Sequence, residues 1–254
     1  MNQHLKEFFL ERWARYCPGA ELPLVWYYTD EKPPFRKAPE TKEWRCVICD
    51  LQRARRNEAV YFDKDSIGCG GGKRYFGFDR EPDPDLDYFL SCGIPGKFEG
   101  IRYKKNPELV AAISDLSPDF QAGGRYLVFK SWSELEDEDE PRAVVFFAAP
   151  DVLSALFTLV NFDESDTNAV ISPAGSGCSS ILYFPLMESR KAHPRAILGM
   201  FDISARPCVG SDILTLAVPW KKMSGMIANM DESFLITESW RKIKSRLTAS
   251  RKND

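Results

Sequence analysis

The sequence has 254 residues, a formal net charge of -3 at pH 7, 44% hydrophobic residues and 28% charged residues. These values are typical of a globular protein with a buried core, and the small net charge argues against nucleic acid or an anionic membrane as a partner. Charges interrupt residues 1–17, which excludes a signal peptide, and no run is long enough to span a membrane. We therefore expect a cytoplasmic protein whose seven cysteines are mostly free thiols, metal ligands or redox groups rather than a disulfide framework.

Hydrophobic periodicity predicts helices and strands that alternate irregularly along the chain. In chain order the prediction is a helix at 3–16, a strand at 22–28, a helix at 43–59, a strand at 59–62, a short helix ending at Gly93, a helix at 106–116, strands at 123–132 and 142–150, a helix at 150–162, strands at 168–172, 196–201 and 213–218, and helices at 218–230 and 237–247. The apolar run at 142–150 is predicted to be a central strand, and the acidic run at 134–140 a solvated loop. This order favours an α/β to α+β fold, with a mixed sheet and helices.

Two patterns occur twice in the chain. GCGGGKRYF at 68–76 is similar to GCSSILYF at 177–184, and the strand–proline–helix pattern at 143–159 recurs at 213–230. Either the similarity is coincidental or one domain contains two related half-repeats, 44–162 and 163–232, followed by a C-terminal helix and basic tail at 233–254. In the second case Cys69 and Cys178 occupy equivalent positions and face each other.

The segment SIGCGGGKRYFGF, residues 66–78, departs from the standard phosphate-binding loops. A Walker motif would need glycine and a hydroxyl residue where the chain has Ile67 and Arg74. The glycines still allow backbone N–H groups to converge on an anion beside Lys73, or they form a tight turn with positive φ angles. GSGCSS at 175–180 offers serine hydroxyls and turn N–H groups to a phosphate or carboxylate in the same way.

The cysteines offer two kinds of chemistry. Cys46 and Cys49 form a C-x-x-C pattern whose thiols share one face of a helix. Because no second such pair completes a zinc or iron–sulfur site, buried helical cysteines are favoured here over a redox or metal role. Four further cysteines lie beside glycine or proline in turns, where they can collect around a metal: Cys69, Cys92, Cys178 and Cys208.

Glycine, cysteine and basic residues concentrate in three segments, at 68–74, 175–180 and 202–210. We expect these segments to line one pocket between the two halves. Asp202 and Arg206 in the third segment either contribute to that pocket or form a structural ion pair. The candidate ligand-binding residues are Cys69, Gly70, Gly71, Lys73, Arg74, Ser176, Cys178, Ser179 and Arg206, and the candidate metal ligands are Cys69 and Cys178.

The order of six sequence segments along the chain indicates a family. In chain order these segments are LPLVWYY, GCGGGKRYFGF, AAPDVLSALFTLVNF, GSGCSS, FDISARPCVG and ILTLAVPWKKM. In this order, across most of residues 20–230, the chain resembles domain-of-unknown-function family 169, a prokaryotic family without an established activity. The proline-rich loop at 30–43 and the acidic run at 134–140 depart from the family pattern. The resemblance implies a soluble cytosolic protein and supplies no reaction.

Three functions therefore stay open at the level of sequence. The first is a ligand- or cofactor-binding protein with a glycine- and cysteine-lined pocket, the second a thiol-based redox or metal-dependent enzyme using Cys69 and Cys178, and the third a structural or interaction protein. An anionic small molecule, a metal ion and an iron–sulfur cluster all suit the pocket. We expect a small-molecule partner and neither nucleic acid nor membrane. The sequence leaves the oligomeric state, a homodimer included, and enzymatic activity undecided.

Overall fold

The computed structural model describes residues 2–39, 45–79, 84–115 and 120–250. In these ranges the strands are β1 (Leu24–Thr29), β2 (Arg36–Lys37), β3 (Val60–Phe62), β4 (Gly93–Ile94), β5 (Phe98–Glu99), β6 (Tyr126–Ser131), β7 (Ala143–Ala148), β8 (Val170–Ile171), β9 (Ala196–Gly199) and β10 (Leu214–Pro219). The helices are α1 (Asn2–Tyr16), α2 (Val47–Ala54), α3 (Gly70–Tyr75), α4 (Leu86–Phe89), α5 (Pro107–Asp115), α6 (Pro150–Val160), α7 (Phe184–Ser189), α8 (Trp220–Ala228) and α9 (Glu238–Ser250). A π-helical turn at Ser179–Tyr183 leads into α7, and a 3-10 turn forms at Arg206–Cys208.

Eight strands form one mixed sheet in the order β2-β3-β6-β1-β7-β10-β9-β8, and β4 pairs with β5 in a separate ribbon. The two edge strands pair in parallel with their neighbours, β2 with β3 and β8 with β9. The other pairs in the large sheet are antiparallel. This architecture confirms the predicted mixed sheet with helices and belongs to the α+β class. The predicted central strand is also confirmed, because β7 lies between β1 and β10 and is buried along its whole length.

The strand order is symmetrical about the β1–β7 pair. Each half of the sheet receives its strands in the same chain order: first the central strand, then the edge strand, then its parallel neighbour, and last the strand beside the centre. This symmetry divides the strands between Ser131 and Ala143. It therefore does not follow the half-repeats 44–162 and 163–232, and the duplication stays a prediction.

Side chains that alternate along the strands create two apolar layers, one on each face of the sheet. On one face, Leu24 and Trp26 pack with α2, the end of α3 and the π-helical turn. On the other face, Val25 and Phe146 pack with α1, α6, α8 and α9. The three segments predicted to form a pocket all lie on the first face or at its margin. Among the described helices, none has the length and apolar character needed to cross a membrane.

The acidic run at 134–140 differs from the predicted solvated loop, because Asp139 is buried. Its carboxylate lies 2.7 Å from the ammonium of Lys130, which is 1% exposed, and Glu136 lies 3.1 Å from the same group. The rings of Tyr27 and Phe35 cover the ammonium at 5.8 and 5.3 Å. A buried ammonium needs such partners because removing it from water costs several kcal/mol. Part of the acidic run thus neutralises a lysine of the sheet.

Glu188 fixes the junction between α7 and β9. Its buried carboxylate accepts hydrogen bonds from Lys191 Nζ at 2.6 Å and from Arg195 Nη2 at 2.8 Å, and it also accepts the Arg195 backbone N–H at 3.1 Å. Burial alone would raise the pKa of Glu188, but the hydrogen bonds from Arg195 and Lys191 outweigh it and lower the pKa from 4.5 to about 2. The ionised carboxylate is therefore the form that the fold stabilises.

We expect Glu188→Gln to lower the free energy of unfolding at pH 7 by about 1–3 kcal/mol, because two cations lose a charged acceptor. Since the folded-state pKa lies below the unfolded value, this contribution is present above pH 4.5 and is lost as the pH falls toward 2. Urea unfolding of both proteins at pH 7 and pH 3 measures the difference. A difference of the same size at both pH values would contradict the assignment.

Candidate functional site

Five of the seven cysteines lie around the first turn of α2. Their segments are distant in the sequence and meet because α2, α3 and the π-helical turn pack on the same face of the sheet. We call Cys46, Cys49, Cys69, Cys178 and Cys208 the cysteine cluster. The sequence named Cys69 and Cys178 as the candidate metal ligands, and the structure places them with the C-x-x-C pair and Cys208.

Cys49 and Cys208 form a disulfide across a sequence separation of 159 residues. The bond ties α2 to the 3-10 turn at Arg206–Cys208, and Gln52 of α2 strengthens this contact by donating from Nε2 to the Cys208 carbonyl oxygen at 2.9 Å. The interpretation of Cys46 and Cys49 as buried helical cysteines is therefore wrong, because Cys49 is disulfide-bonded, Cys46 lies directly before α2, and both are only partly buried. No local pattern signals a bond between residues so distant in the chain.

Cys46, Cys69 and Cys178 remain thiols, and each immediately precedes a helical segment. Cys69 Sγ accepts a hydrogen bond from the Gly72 N–H at 3.2 Å, and the N–H of Val47, at the start of α2, also favours its thiolate. Burial is nevertheless the larger effect, and the pKa of Cys69 is raised. The sulfur of Cys69 thus lies at the beginning of two helices while remaining protonated at neutral pH.

The other two thiols behave in the same way. Burial raises the pKa of Cys46, although the N–H groups of Ile48 and Cys49 lie close enough to its sulfur to offset part of the increase. Burial raises the pKa of Cys178 strongly, and the negative charge of a Cys69 thiolate would raise it further. The three thiols are therefore close enough to influence one another, and none is a thiolate at neutral pH.

Gly70, Gly71 and Gly72 form the first turn of α3 rather than a turn with positive φ angles. In this segment a positive φ, of 75°, occurs instead at Gly77. A Cβ atom on Gly72 would lie 2.9 Å from both Cys69 Sγ and Ile67 Cγ2. A Cβ atom on Gly70 or Gly71 would have no atom within 4 Å. Gly72 therefore permits close packing around Cys69, while the other two glycines border open space.

We expect Gly72→Ala to lower the free energy of unfolding by about 1–3 kcal/mol, because the added methyl group overpacks the contact with Cys69. Gly70→Ala is the matched control in the same helix, and we expect it to be neutral or stabilising by up to about 1 kcal/mol. Urea unfolding of the three proteins measures both effects. Equal stabilities of the two variants would show that the close contact at Gly72 is unimportant.

Asp202 connects the second and third predicted segments. Its Oδ2 atom accepts a hydrogen bond from the Gly177 N–H at 2.9 Å, directly before Cys178 in the chain. Its Oδ1 atom accepts hydrogen bonds from the Tyr103 hydroxyl at 3.1 Å and from the Ser204 hydroxyl at 2.7 Å. The carboxylate also contributes to the raised pKa of the nearby Cys178 thiol, after burial and the thiolate charges of Cys69 and Cys46. Asp202 therefore positions the Cys178 turn and disfavours its thiolate.

Arg206 shapes its own loop. The guanidinium donates hydrogen bonds from Nη2 to the backbone carbonyls of Gly210 at 2.9 Å and Ser211 at 2.7 Å, and from Nη1 to that of Ile213. The predicted structural ion pair between Asp202 and Arg206 is replaced by these separate contacts. Most donors of Arg206 are thus engaged by the 210–213 backbone.

The remaining candidate residues divide into engaged and unengaged groups. Ser179 donates its hydroxyl to the Ser176 carbonyl at 2.8 Å, and Ser176 Oγ lies 3.1 Å from Cys178 Sγ, so both hydroxyls serve the turn itself. Lys73 and Arg74 are partly exposed, and within the described ranges their side chains make no hydrogen bond or ion pair. These two cations remain available to a ligand.

A surface cavity of about 410 Å³ lies beside the disulfide. It is lined by Glu21, by Gln52 of α2, by Arg55 and Arg56 directly after α2, and by residues 207–210. The third predicted segment contributes to this lining, whereas the segments at 68–74 and 175–180 do not. A pocket shared by all three segments stays a prediction.

The described residues, 2–39, 45–79, 84–115 and 120–250, contain no preformed metal site. No group of three or more His, Cys, Asp or Glu side chains in these ranges is arranged to hold an ion. Cys49 and Cys208 are occupied by their mutual bond. The C-x-x-C pattern of Cys46 and Cys49 is the sequence signal that marks this cluster at the start of α2.

Comparison with known proteins finds one family. A model of the domain-of-unknown-function family DUF169, described as "Uncharacterised ArCR", matches residues 20–229. The matched range contains the whole large sheet and all five members of the cysteine cluster. No curated protein and no solved structure matches the chain.

Proposed function

The chain belongs to the DUF169 family, and because its description names no reaction, we propose from the geometry that this is a cytoplasmic thiol–disulfide exchange protein. The observation that carries the proposal is the Cys49–Cys208 disulfide next to the free thiol of Cys46. Disulfides of cytosolic proteins are usually transient and take part in catalysis or redox sensing, because the glutathione and thioredoxin systems keep other thiols reduced. A C-x-x-C pair at the start of a helix is a frequent setting for such exchange.

We propose that Cys46 exchanges with this bond. It immediately precedes α2, and the Cys49 N–H lies close enough to its sulfur to affect its pKa. In the exchange, deprotonated Cys46 Sγ attacks Cys49 Sγ, and the bond between Cys49 and Cys208 breaks. Its electron pair passes to Cys208, which takes a proton from solvent while Cys46 has released one. The disulfide moves to Cys46–Cys49 with no net oxidation.

Burial controls the rate of this step. Because the pKa of Cys46 is raised by burial, only a small fraction of its thiol is ionised at neutral pH, and the rate of exchange should increase as the pH rises. Net reduction of the protein needs a thiol partner that donates two electrons and becomes a disulfide. The proposed substrate class is therefore thiols or disulfides.

Breaking the Cys49–Cys208 bond would remove the covalent link between the 200–213 loop and α2, and would leave the hydrogen bond from Gln52 to the Cys208 carbonyl oxygen. The same loop holds the Cys178 turn through the hydrogen bond from the Gly177 N–H to Asp202. A change at the disulfide is therefore mechanically coupled to the environment of a third cysteine. This coupling supports a redox role for the cluster as a whole, Cys69 and Cys178 included.

The test is to equilibrate the full chain in buffers of reduced and oxidised dithiothreitol, trap thiols by acid and alkylation, and identify linked peptides by mass spectrometry. We expect reversible conversion of Cys49–Cys208 to thiols, with some Cys46–Cys49 linkage at intermediate potentials. In Cys46→Ser the second linkage must vanish while the first remains. Trapping at pH 7 and pH 9 should show faster exchange at the higher pH.

Cys92→Ser is the matched control, because Cys92 is an exposed thiol outside the cluster. It should leave both linkages unchanged. A Cys49–Cys208 bond that resists reduction in the folded protein would make the bond structural and overturn the proposal. Detection of Cys49–Cys208 alone at every potential would remove Cys46 from the mechanism.

A second candidate function is the binding of a small anionic ligand at the 68–74 segment. The specific observation is open space above Gly70 and Gly71 next to the unengaged cations Lys73 and Arg74. Residues three and four apart on a helix lie on the same side, so Lys73 and Arg74 can both reach a ligand above Gly70. A phosphate or carboxylate there would lie close to the Cys69 turn.

Titration calorimetry with pyrophosphate tests this candidate. We expect Lys73→Gln combined with Arg74→Gln to weaken binding about tenfold or more, since exposed charge contacts of this kind contribute roughly 1 kcal/mol each. Lys64→Gln, at an exposed lysine outside the segment, is the control and should bind as the unchanged protein does. An anion site at this segment would be excluded if pyrophosphate failed to bind the unchanged protein, or if it bound the unchanged protein and the double variant equally.

A further inference from the structure

The cavity beside the disulfide adjoins Cys208. Cys208 is itself part of the lining, although its side chain is largely buried in the protein. The cavity has a volume of about 410 Å³, which is within the range of small-molecule sites. A small thiol can therefore be accommodated next to a bond that thiols reduce.

The charges around the cavity are not balanced. Arg55 donates two hydrogen bonds to the Glu21 carboxylate, at 2.6 and 2.7 Å, and its guanidinium lies 4.5 Å from the centre of the Phe147 ring. This pair is neutral and fixed. Arg56 is exposed, and its guanidinium makes no hydrogen bond or ion pair with other described side chains. The cavity therefore presents one uncompensated positive charge to a ligand.

We infer that this cavity binds a low-molecular-weight thiol that carries a carboxylate, and that this thiol reduces the Cys49–Cys208 disulfide. The inference rests on the proposed thiol–disulfide exchange function and specifies its substrate class. Arg56 selects the acidic group, while residues 207–210 place Cys208 against the thiol. An acidic thiol is favoured over a neutral or cationic one because the opposite charge raises its local concentration and its affinity.

The reaction balances with two molecules of the thiol. The first thiolate attacks Cys208 Sγ and forms a mixed disulfide, while Cys49 leaves as a thiolate and takes up a proton. The second thiolate attacks the sulfur of the bound small molecule, and Cys208 leaves as a thiolate that is protonated in turn. The products are one small-molecule disulfide and the two protein thiols, so two electrons pass from the small thiols to the protein.

The experiment measures the rate of reduction of Cys49–Cys208 in the full chain by three small thiols of similar size and different charge: 3-mercaptopropionate, 2-mercaptoethanol and cysteamine. Each rate is compared between the unchanged protein and Arg56→Gln, so that the intrinsic reactivity of each thiol cancels. We expect a loss of about three- to fivefold for mercaptopropionate, no change for mercaptoethanol, and a small gain for cysteamine. Reduction by mercaptopropionate should also saturate with concentration.

Arg190→Gln, which removes an exposed arginine outside the cavity, is the control for net charge and should leave all three rates unchanged. If all three thiols reduce the bond but Arg56→Gln affects them equally, the inference is wrong while the exchange function survives. If none of the thiols reduces the bond in the folded protein, the exchange function itself fails. Equal effects of Arg190→Gln and Arg56→Gln would assign the selectivity to overall charge and overturn the site.

Discussion

Both faces of the central strands β1 and β7 are covered by helices, and this double burial is the constraint on which the other features depend. Side chains there must be apolar or fully paired, as Trp26 illustrates. Its indole N–H donates to the Ile181 carbonyl of the π-helical turn at 3.1 Å, and both residues are buried. Losing that partner would leave a buried donor unsatisfied, at a cost of about 1–3 kcal/mol. The contact fixes the π-helical turn on the sheet and thereby places Cys178 near α2.

The same burial determines how the cysteine cluster can react. Helix starts and N–H groups usually favour a thiolate, but desolvation is the larger effect at Cys46 and Cys69. A site built this way holds its sulfur atoms close together and keeps them protonated until the local structure opens or the pH rises. The Cys49–Cys208 disulfide is different, because Cys208 is one of the residues that line a surface cavity. The cluster thus contains thiols that burial keeps protonated and a disulfide that lies next to a surface cavity.

Most helices and strands could be predicted from the sequence, because their apolar spacing reports burial on one or both faces. Asn106 is one case, since its side chain accepts the Leu109 N–H at 3.1 Å and begins α5 as the sequence indicated. The first turn of α3 could not be predicted, because glycine disfavours helices and the reason for Gly72 is a close contact with Cys69. Family membership could be predicted, because it is recognised from the order of several short sequence segments along the chain.

The site was less predictable than the fold for a physical reason. Lys73 and Cys69 stand out in the sequence because glycines surround them, whereas the bond between Cys49 and Cys208 depends on how the sheet folds α2 against a distant loop. Arg206 and Asp202 show the same limit. Their proximity in the sequence suggested a pair, but the backbone carbonyls of the loop and the Gly177 N–H are better placed as partners.

The position of β1 at the centre of the sheet also affects how the chain is made. β1 ends at Thr29 and pairs with β7, which ends at Ala148. Roughly 120 further residues must therefore leave the ribosome before β1 has both neighbours, which takes about 6–24 seconds at typical rates of synthesis. Cys49 waits still longer for Cys208 and spends that time as an unpaired thiol in a nascent chain. The disulfide is thus a late event in biogenesis, formed only after the strands that bring its two ends together have been synthesised.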